Sequence, residues 1–250
     1  MRVAFVGKGG AGKSSLAGTF SRLLAGTGER VLALDSDPMP GLAFALGVDR
    51  VDQGLPDDVV EEDRTAGRFR LATGLRGVDV VEQHAVRAPD GVYLLQLGKA
   101  RGQQWKNTRQ HFGFQGVLDD LPDRGWSIVG DLPGGTRQPF MTWGRWAETF
   151  IVVVEPTPAS LLSARRLAGL AAMPGAPRVV AIANKVREPA DVAWVGQRTG
   201  LTVLATVGFD PALATADRLG SALLDTDPEG PTATALRCLV DTLLTEEEPS

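Results

Sequence analysis

Short apolar runs alternate with longer stretches of helical spacing along this chain. Val3–Val6, Arg30–Leu34, Val78–Glu82, Val92–Leu97, Ser127–Gly130, Phe150–Val154, Val179–Ala183 and Leu201–Thr206 read as strands, β-branched or continuously apolar. Ser14–Ala25, residues 103–121, Leu161–Ala172 and Ala233–Leu244 read as helices, with a short one near Gly41–Leu46. Strands with no polar side need cover on both faces. The pattern therefore predicts one α/β domain over residues 1–245: a mostly parallel central sheet, Val179–Ala183 among its central strands, with helices on both faces. Ligand loops then lie at the carboxyl ends of the strands. The polar segment 47–77, with Pro56, Asp57, Asp58, Glu61, Glu62 and Asp63, reads as an insertion or a mobile, partner-facing loop. Residues 246–250 read as a frayed acidic tail.

Composition narrows the class without naming a task. The 250 residues are 43% hydrophobic and 22% charged, enough for a substantial core. A net charge of −4 argues against general nucleic-acid affinity. Cys238 is the single cysteine, so a disulfide framework is excluded and a reducing, cytoplasmic setting is expected. Residues 1–6 read as a strand and not a signal peptide, and no apolar run is long enough to span a membrane.

The chemistry begins at Gly7-Lys8-Gly9-Gly10-Ala11-Gly12-Lys13-Ser14-Ser15. Strand, glycine-rich loop and helix follow in the order a phosphate-binding loop needs, which makes a chance turn the weaker reading. Main-chain N–H groups of Gly9, Gly10, Ala11 and Gly12 form an anion nest, reinforced by the start of the helix. Lys13 is placed for the β- and γ-phosphates, Ser14 for Mg²⁺ and Ser15 for the region of the α-phosphate. Lys8 has no task in the simplest form of this loop.

Two acidic anchors follow. Asp35-Ser36-Asp37-Pro38 ends the second strand beside the loop, where Asp35 and Asp37 are placed for Mg²⁺ and water; the plainer alternative is a capping cluster. Asp131 ends Ser127–Gly130 and precedes Gly134 and Gly135, which give a switching loop its freedom; the plainer alternative is a turn. Asn184 ends a strand and can offer a donor and an acceptor to an adenine edge. In Asn184-Lys185-Val186-Arg187 an arginine stands where guanine recognition needs an aspartate, which favours ATP over GTP.

The Lys-Gly-Gly-x-Gly-Lys-Ser arrangement resembles the deviant Walker A loop of the dimeric SIMIBI ATPases: the nitrogenase iron protein, the septum-site and partition ATPases, and the nickel-insertion ATPases of carbon monoxide dehydrogenase. The last group is the most similar. It shares Asp35–Gly47, Leu94–Lys99, Val153–Thr157, Ala183–Lys185 and Ala214–Gly220. The resemblance implies a Mg-ATP hydrolase that pairs as a homodimer. By it Lys8 reaches the partner's nucleotide, Asp37 orients the attacking water and Asp35 supports it. Asp131 is the Walker B carboxylate, its loop is the second switch, and Phe209 and Asp210 lie where a loop wraps the adenine.

Two departures bear on the cargo. Where the metal-inserting members carry Gly-Cys-x-Cys, this chain reads Arg101-Gly102-Gln103-Gln104-Trp105-Lys106-Asn107, and no Cys-x-Cys site for a transition metal exists. The Asp131 loop continues Pro-Gly-Gly-Thr-Arg-Gln-Pro, without the acidic and histidine residues of those members. His84 and His111 share no metal-ligand spacing. The expectation is a switch ATPase acting on a protein client in maturation, assembly or regulation. Trp105, Lys106, Arg109, His111, Phe112 and Phe114 form a candidate client surface, or an ordinary packed helix. The alternative is a positioning ATPase that binds DNA or membrane. Such proteins need a basic surface, for which Arg165-Arg166 alone is a weak patch, and the C-terminal stretch Glu246-Glu247-Glu248 is acidic. A regulator with little turnover, or a small-molecule synthase or kinase, has less support.

Overall fold

A computed structural model describes residues 1–37, 41–49, 54–63, 68–96, 104–122, 125–135, 144–171 and 175–247. In chain order the strands are β1 (Arg2–Gly7), β2 (Val31–Asp35), β3 (Val60–Asp63), β4 (Arg68–Leu71), β5 (Val86–Arg87), β6 (Tyr93–Gln96), β7 (Ser127–Asp131), β8 (Thr149–Val154), β9 (Arg178–Val186) and β10 (Val203–Gly208). The helices are α1 (Lys13–Gly26), α2 (Leu42–Ala45), α3 (Gly77–His84), α4 (Gln104–Asp120), α5 (Pro158–Ala171), α6 (Pro189–Thr199), α7 (Pro211–Leu219), α8 (Leu223–Thr226) and α9 (Pro231–Glu247).

The main sheet runs β10-β9-β8-β1-β7-β2-β6-β5, parallel throughout except for the short β5 against β6. Alternate strand residues face opposite layers. Ala4, Val6, Leu32, Leu34, Phe150 and Val152 pack towards α3, α4, α5 and α6. Val3, Phe5, Val31, Ala33, Ile151 and Val153 pack towards α1, α2 and α9. Phe5 and Phe20 meet edge to face, with ring centroids 5.5 Å apart, and tie β1 to α1. The chain leaves β1 for β2 on one side and reaches β8 on the other, so the carboxyl ends of β1, β7 and β8 surround the point where strand order reverses. That point is where an open α/β sheet binds its ligand.

Four expectations change. Val78–Glu82 is part of helix α3, not a strand: its buried positions are Gly77, Val80 and Val81, a helical spacing. The Gly77 amide donates to Asp120 on α4 at 2.5 Å, and this tertiary contact overrides the strand preference of the valines. Val179–Ala183 lies in β9, one strand from the edge and not at the centre, though buried on both faces. The described part of 47–77 contains an antiparallel hairpin, Val60 opposite Leu71, laid on α4. The last helix extends through Glu247, and Glu246 pairs with Arg178 instead of fraying. Sequence periodicity also left β5, α6, α7 and α8 unassigned.

Candidate functional site

Helix α1 starts without a side-chain cap and with no acidic residue in its first turn. Such a start leaves backbone N–H groups unmet, and an anion is their natural partner. By contrast α6 carries a Glu188/Asp191 capping box and α7 is capped by Asp210. Gly12, the residue before α1, sits at φ 95°, and a Cβ there would lie 2.6 Å from Asn184 Nδ2. Only glycine fits both the backbone angle and the neighbour.

The two lysines of the loop differ in setting. Lys13 is 7% exposed, at the first position of α1, whereas Lys8 is exposed. Gly9 and Gly10 are exposed and Ala11 is buried, its amide donating to the Lys8 carbonyl at 3.2 Å. Gly134 closes over the loop: a Cβ there would be 3.3 Å from the Gly9 nitrogen. Gly135 follows at φ 143°.

Beneath the loop, Asp35 and Asp131 are register partners on β2 and β7. Both are essentially inaccessible, at 0% and 1% exposure. Ser14 Oγ donates to Asp131 Oδ2. Asp35 shapes the loop after β2, accepting from the amides of Asp37 at 3.1 Å, Gly41 at 3.1 Å and Leu42 at 3.0 Å. It thus performs the capping task that was the plainer sequence reading, and does so inside the site. Burial pushes the Asp35 carboxyl up to about 7, and the Asp131 charge adds to the rise. Burial likewise pushes Asp131 up to about 6, against the pull of the Ser14 hydroxyl and of Lys13.

This donor set fits Mg²⁺. Asp131 Oδ1 is buried without a hydrogen-bond partner among the described residues, beside a hydroxyl and a second carboxylate. Hard oxygen donors in small number, completed by phosphates and water, are what Mg²⁺ accepts. When bound, the ion neutralises charge on the phosphates. The chain's own part is to hold Ser14 and Asp131 rigid and to fix the backbone of Asp37 through Asp35. Among the described residues no group of three or more His, Cys, Asp or Glu converges as a metal site.

The residues expected from the sequence on the base side divide. Asn184 is 1% exposed; Nδ2 donates to the Ala11 carbonyl at 2.7 Å, and Oδ1 has no partner among the described residues. Lys185 takes a left-handed backbone, φ 57°, and its ammonium donates to the Gly10 carbonyl at 2.9 Å and pairs with Glu155. Both residues thus brace the phosphate loop from β9. Phe209 is 53% exposed with the Arg187 guanidinium 5.6 Å from its ring centre, an open stacking surface. The Asp210 carboxylate is engaged elsewhere. One oxygen caps α7 through the amides of Ala212 and Leu213, and the other accepts from Thr232 at 2.5 Å.

Sequence reasoning gave no role to Glu155, Asp217 or Gln96, although each lay in a motif singled out above. Asp217 accepts from Ser15 Oγ at 2.6 Å, so the Ser15 hydroxyl already has a partner on α7. Pro38, residues 97–103, the side chains of Trp105, Lys106 and Arg109, Thr136 to Pro139, and residues 248–250 lie outside the described residues or side chains. His111 and Phe112 border a cavity of about 650 Å³ between the β3–β4 hairpin and α4, with Phe69, Arg70 and Arg145, not at the phosphate loop.

The pattern of the CobQ/CobB/MinD/ParA nucleotide binding domain matches residues 3–224. A carbon monoxide dehydrogenase accessory protein, CooC, of Rhodospirillum rubrum is 30% identical, over 91% of each chain. The septum site-determining protein MinD of Pyrococcus horikoshii OT3, solved with Mg-ADP, superposes with a TM-score of 0.73 at 22% identity, covering 96% of this chain and 94% of that one. The cell division ATPase MinD of Pyrococcus furiosus gives 0.75 at 22% identity, covering 98% and 99%.

Proposed function

The chain belongs to the CobQ/CobB/MinD/ParA nucleotide-binding family, and from that premise we propose that it is a Mg-ATP-dependent, dimeric switch ATPase acting on a protein client in maturation, assembly or regulation. The observation that carries this reading is the contrast between the two loop lysines. Lys13 is buried where it serves its own chain's phosphates, and Lys8 is exposed where a second subunit can be served. A cation supplied across an interface stabilises transition-state charge and makes hydrolysis depend on pairing. Asp37 orients the attacking water in this reading, and Gly134 and Gly135 let the second switch follow the γ-phosphate. Adenine is read by Asn184 Oδ1, with Phe209 as its stacking surface and Arg187 in place of a guanine-reading carboxylate.

A protein client is supported by the accessory role named for the Rhodospirillum rubrum relative. The missing Cys-x-Cys pair argues that any metal cargo of such a system is not carried by this chain. Membrane and DNA have less support. The apolar face of α9 is spent on the core through Leu236, Leu239, Val240 and Leu243, and Glu246 is held by Arg178. No described helix is long and apolar enough to cross a membrane. Light scattering and phosphate release test the proposal together. The expected result is a dimer with Mg-ATP and Mg-dependent turnover. A monomer in saturating Mg-ATP with no phosphate released overturns it. Asp37→Asn, expected to bind ATP without cleaving it, is the form with which to capture the client.

A further inference from the structure

The register row that joins the two buried carboxylates continues one strand further. Asp131 on β7 faces Asp35 on β2, and Asp35 faces Gln96 on β6. Val129, Ala33 and Leu94, two residues earlier on each strand, all pack into the α1 layer. The three polar side chains therefore leave the sheet on that same side. Gln96 is 2% exposed, and neither Nε2 nor Oε1 has a hydrogen-bond partner among the described residues. Asp131 Oδ1 and Asn184 Oδ1 are in the same condition, and both also stand near the carboxyl ends of parallel strands. The nucleotide reading supplies partners for those two: the surroundings of Mg²⁺ and an adenine edge. It supplies none for Gln96.

A buried amide left unmet is destabilising, and Met or Leu would fill the same space without that cost. We propose that Gln96 is a positioning residue of the hydrolytic site, whose partner is a water ordered when the magnesium nucleotide arrives, bridging its carboxamide to Asp35. A carboxylate has about four acceptor sites, and Asp35 spends three on the amides of Asp37, Gly41 and Leu42. The fourth accepts from the water, and the water accepts from Gln96 Nε2. Asp35 is then held from both sides, and with it the backbone of Asp37. No direct contact between Gln96 and nucleotide is required. The inference rests on the ATPase reading above and adds a residue to it.

The test compares Gln96→Met with wild type in the full chain, by ligand-free melting temperature and by kcat and KM for ATP. Removing an unmet amide is expected to leave the ligand-free melting temperature unchanged or to raise it by about 2–4 °C. Loosening Asp35, and through it the Asp37 backbone, is expected to lower kcat about tenfold, with KM for ATP within about twofold. Gln96→Glu keeps the volume but not the amide donor, and is expected to lower kcat in the same way. A fall in the ligand-free melting temperature of Gln96→Met overturns the inference whatever kcat does, because the amide was then already satisfied. Unchanged kcat in both variants overturns it as well. A wild-type chain that does not turn over ATP overturns the ATPase reading and this inference with it. Turnover in wild type equalled by Gln96→Met overturns only the inference.

Discussion

Asp35 and Asp131 face each other across two parallel strands, both buried, one held by three backbone amides and the other by the Ser14 hydroxyl. Lys13 and Ser14 face the pair from α1, and Asp37 faces it from the loop after β2. Both carboxyls are pushed above their ordinary value, to about 7 and about 6. The folded state then binds more protons than the unfolded state between about pH 4 and pH 7, so stability falls as pH rises through that window. Glu61, Asp79 and Glu246, lowered by their surface partners, and His111, lowered by burial, act in the opposite sense. Urea melts of ligand-free protein across pH are expected to show this decline, and Mg-nucleotide is expected to abolish it. A profile that is flat or rises with pH without ligand refutes the assignment.

Substituting Lys8→Ala is expected to separate binding from turnover. The Lys8 side chain is exposed and Lys13 is not. Nucleotide affinity is therefore expected to stay within a fewfold of wild type, measured with a fluorescent ATP analogue. Hydrolysis is expected to fall by about 10²–10³-fold, the usual effect of removing one preorganised charge-stabilising donor. Light scattering is expected to show a monomer in Mg-ATP. Normal dimerisation and turnover in this variant would remove Lys8 from the mechanism.

The phosphate loop and both acidic anchors were legible because each depends on local order: strand, then glycines or a carboxylate, then helix. Asp35, Asp131, Ser14 and Lys13 converge as that order required. What was not legible depends on contacts distant in the chain. Val78–Glu82 has strand-like valines, yet its helix is settled by Asp120, and within 47–77 the strands Val60–Asp63 and Arg68–Leu71 pair on the surface that α4 gives them. Asp210 follows β10, where the resemblance places a loop over the adenine, but Thr232 and the start of α7 occupy its carboxylate. No spacing rule links Ser15 to Asp217 or Asp35 to Gln96, because those pairings are made by sheet register and helix docking.

Lys185 joins the Gly10 carbonyl to Glu155 from a left-handed backbone. Lys185→Met removes a strut under the phosphate loop without removing any nest N–H. Affinity for Mg-ATP is expected to fall about tenfold, the value of one charge-assisted hydrogen bond. Global stability is expected to change by less than about 1 kcal/mol, since the lysine is nearly half exposed. Glu155→Gln keeps a hydrogen-bond acceptor and is expected to give a smaller loss, with isothermal titration as the measurement. A lysine variant that binds Mg-ATP as wild type does would show that the loop holds its shape alone.

In the proposed reading Asp217 sets a condition on nucleotide entry. Its carboxylate accepts from Ser15 Oγ at 2.6 Å, and Ser15 is the hydroxyl expected near the α-phosphate. A hydroxyl has one hydrogen to give, so a phosphate oxygen can take it only by displacing Asp217. The displaced carboxylate then faces an anion. Asp217 is exposed, so solvent screens the repulsion, and its cost is about 1 kcal/mol or less. Asp217→Asn keeps an acceptor for Ser15 and removes the charge. It is expected to tighten nucleotide binding by about three- to fivefold at about 0.05 M salt, and by less at about 0.5 M, where the charge is screened. Ser15→Ala is expected to weaken binding a fewfold at either salt, because it removes the donor itself. Weaker binding by Asp217→Asn, strongest against ATP and absent against a nucleotide lacking its ribose hydroxyls, would give the carboxylate the opposite role. It would then accept hydrogen bonds from the sugar, and α7 would be drawn towards the nucleotide and not pushed from it.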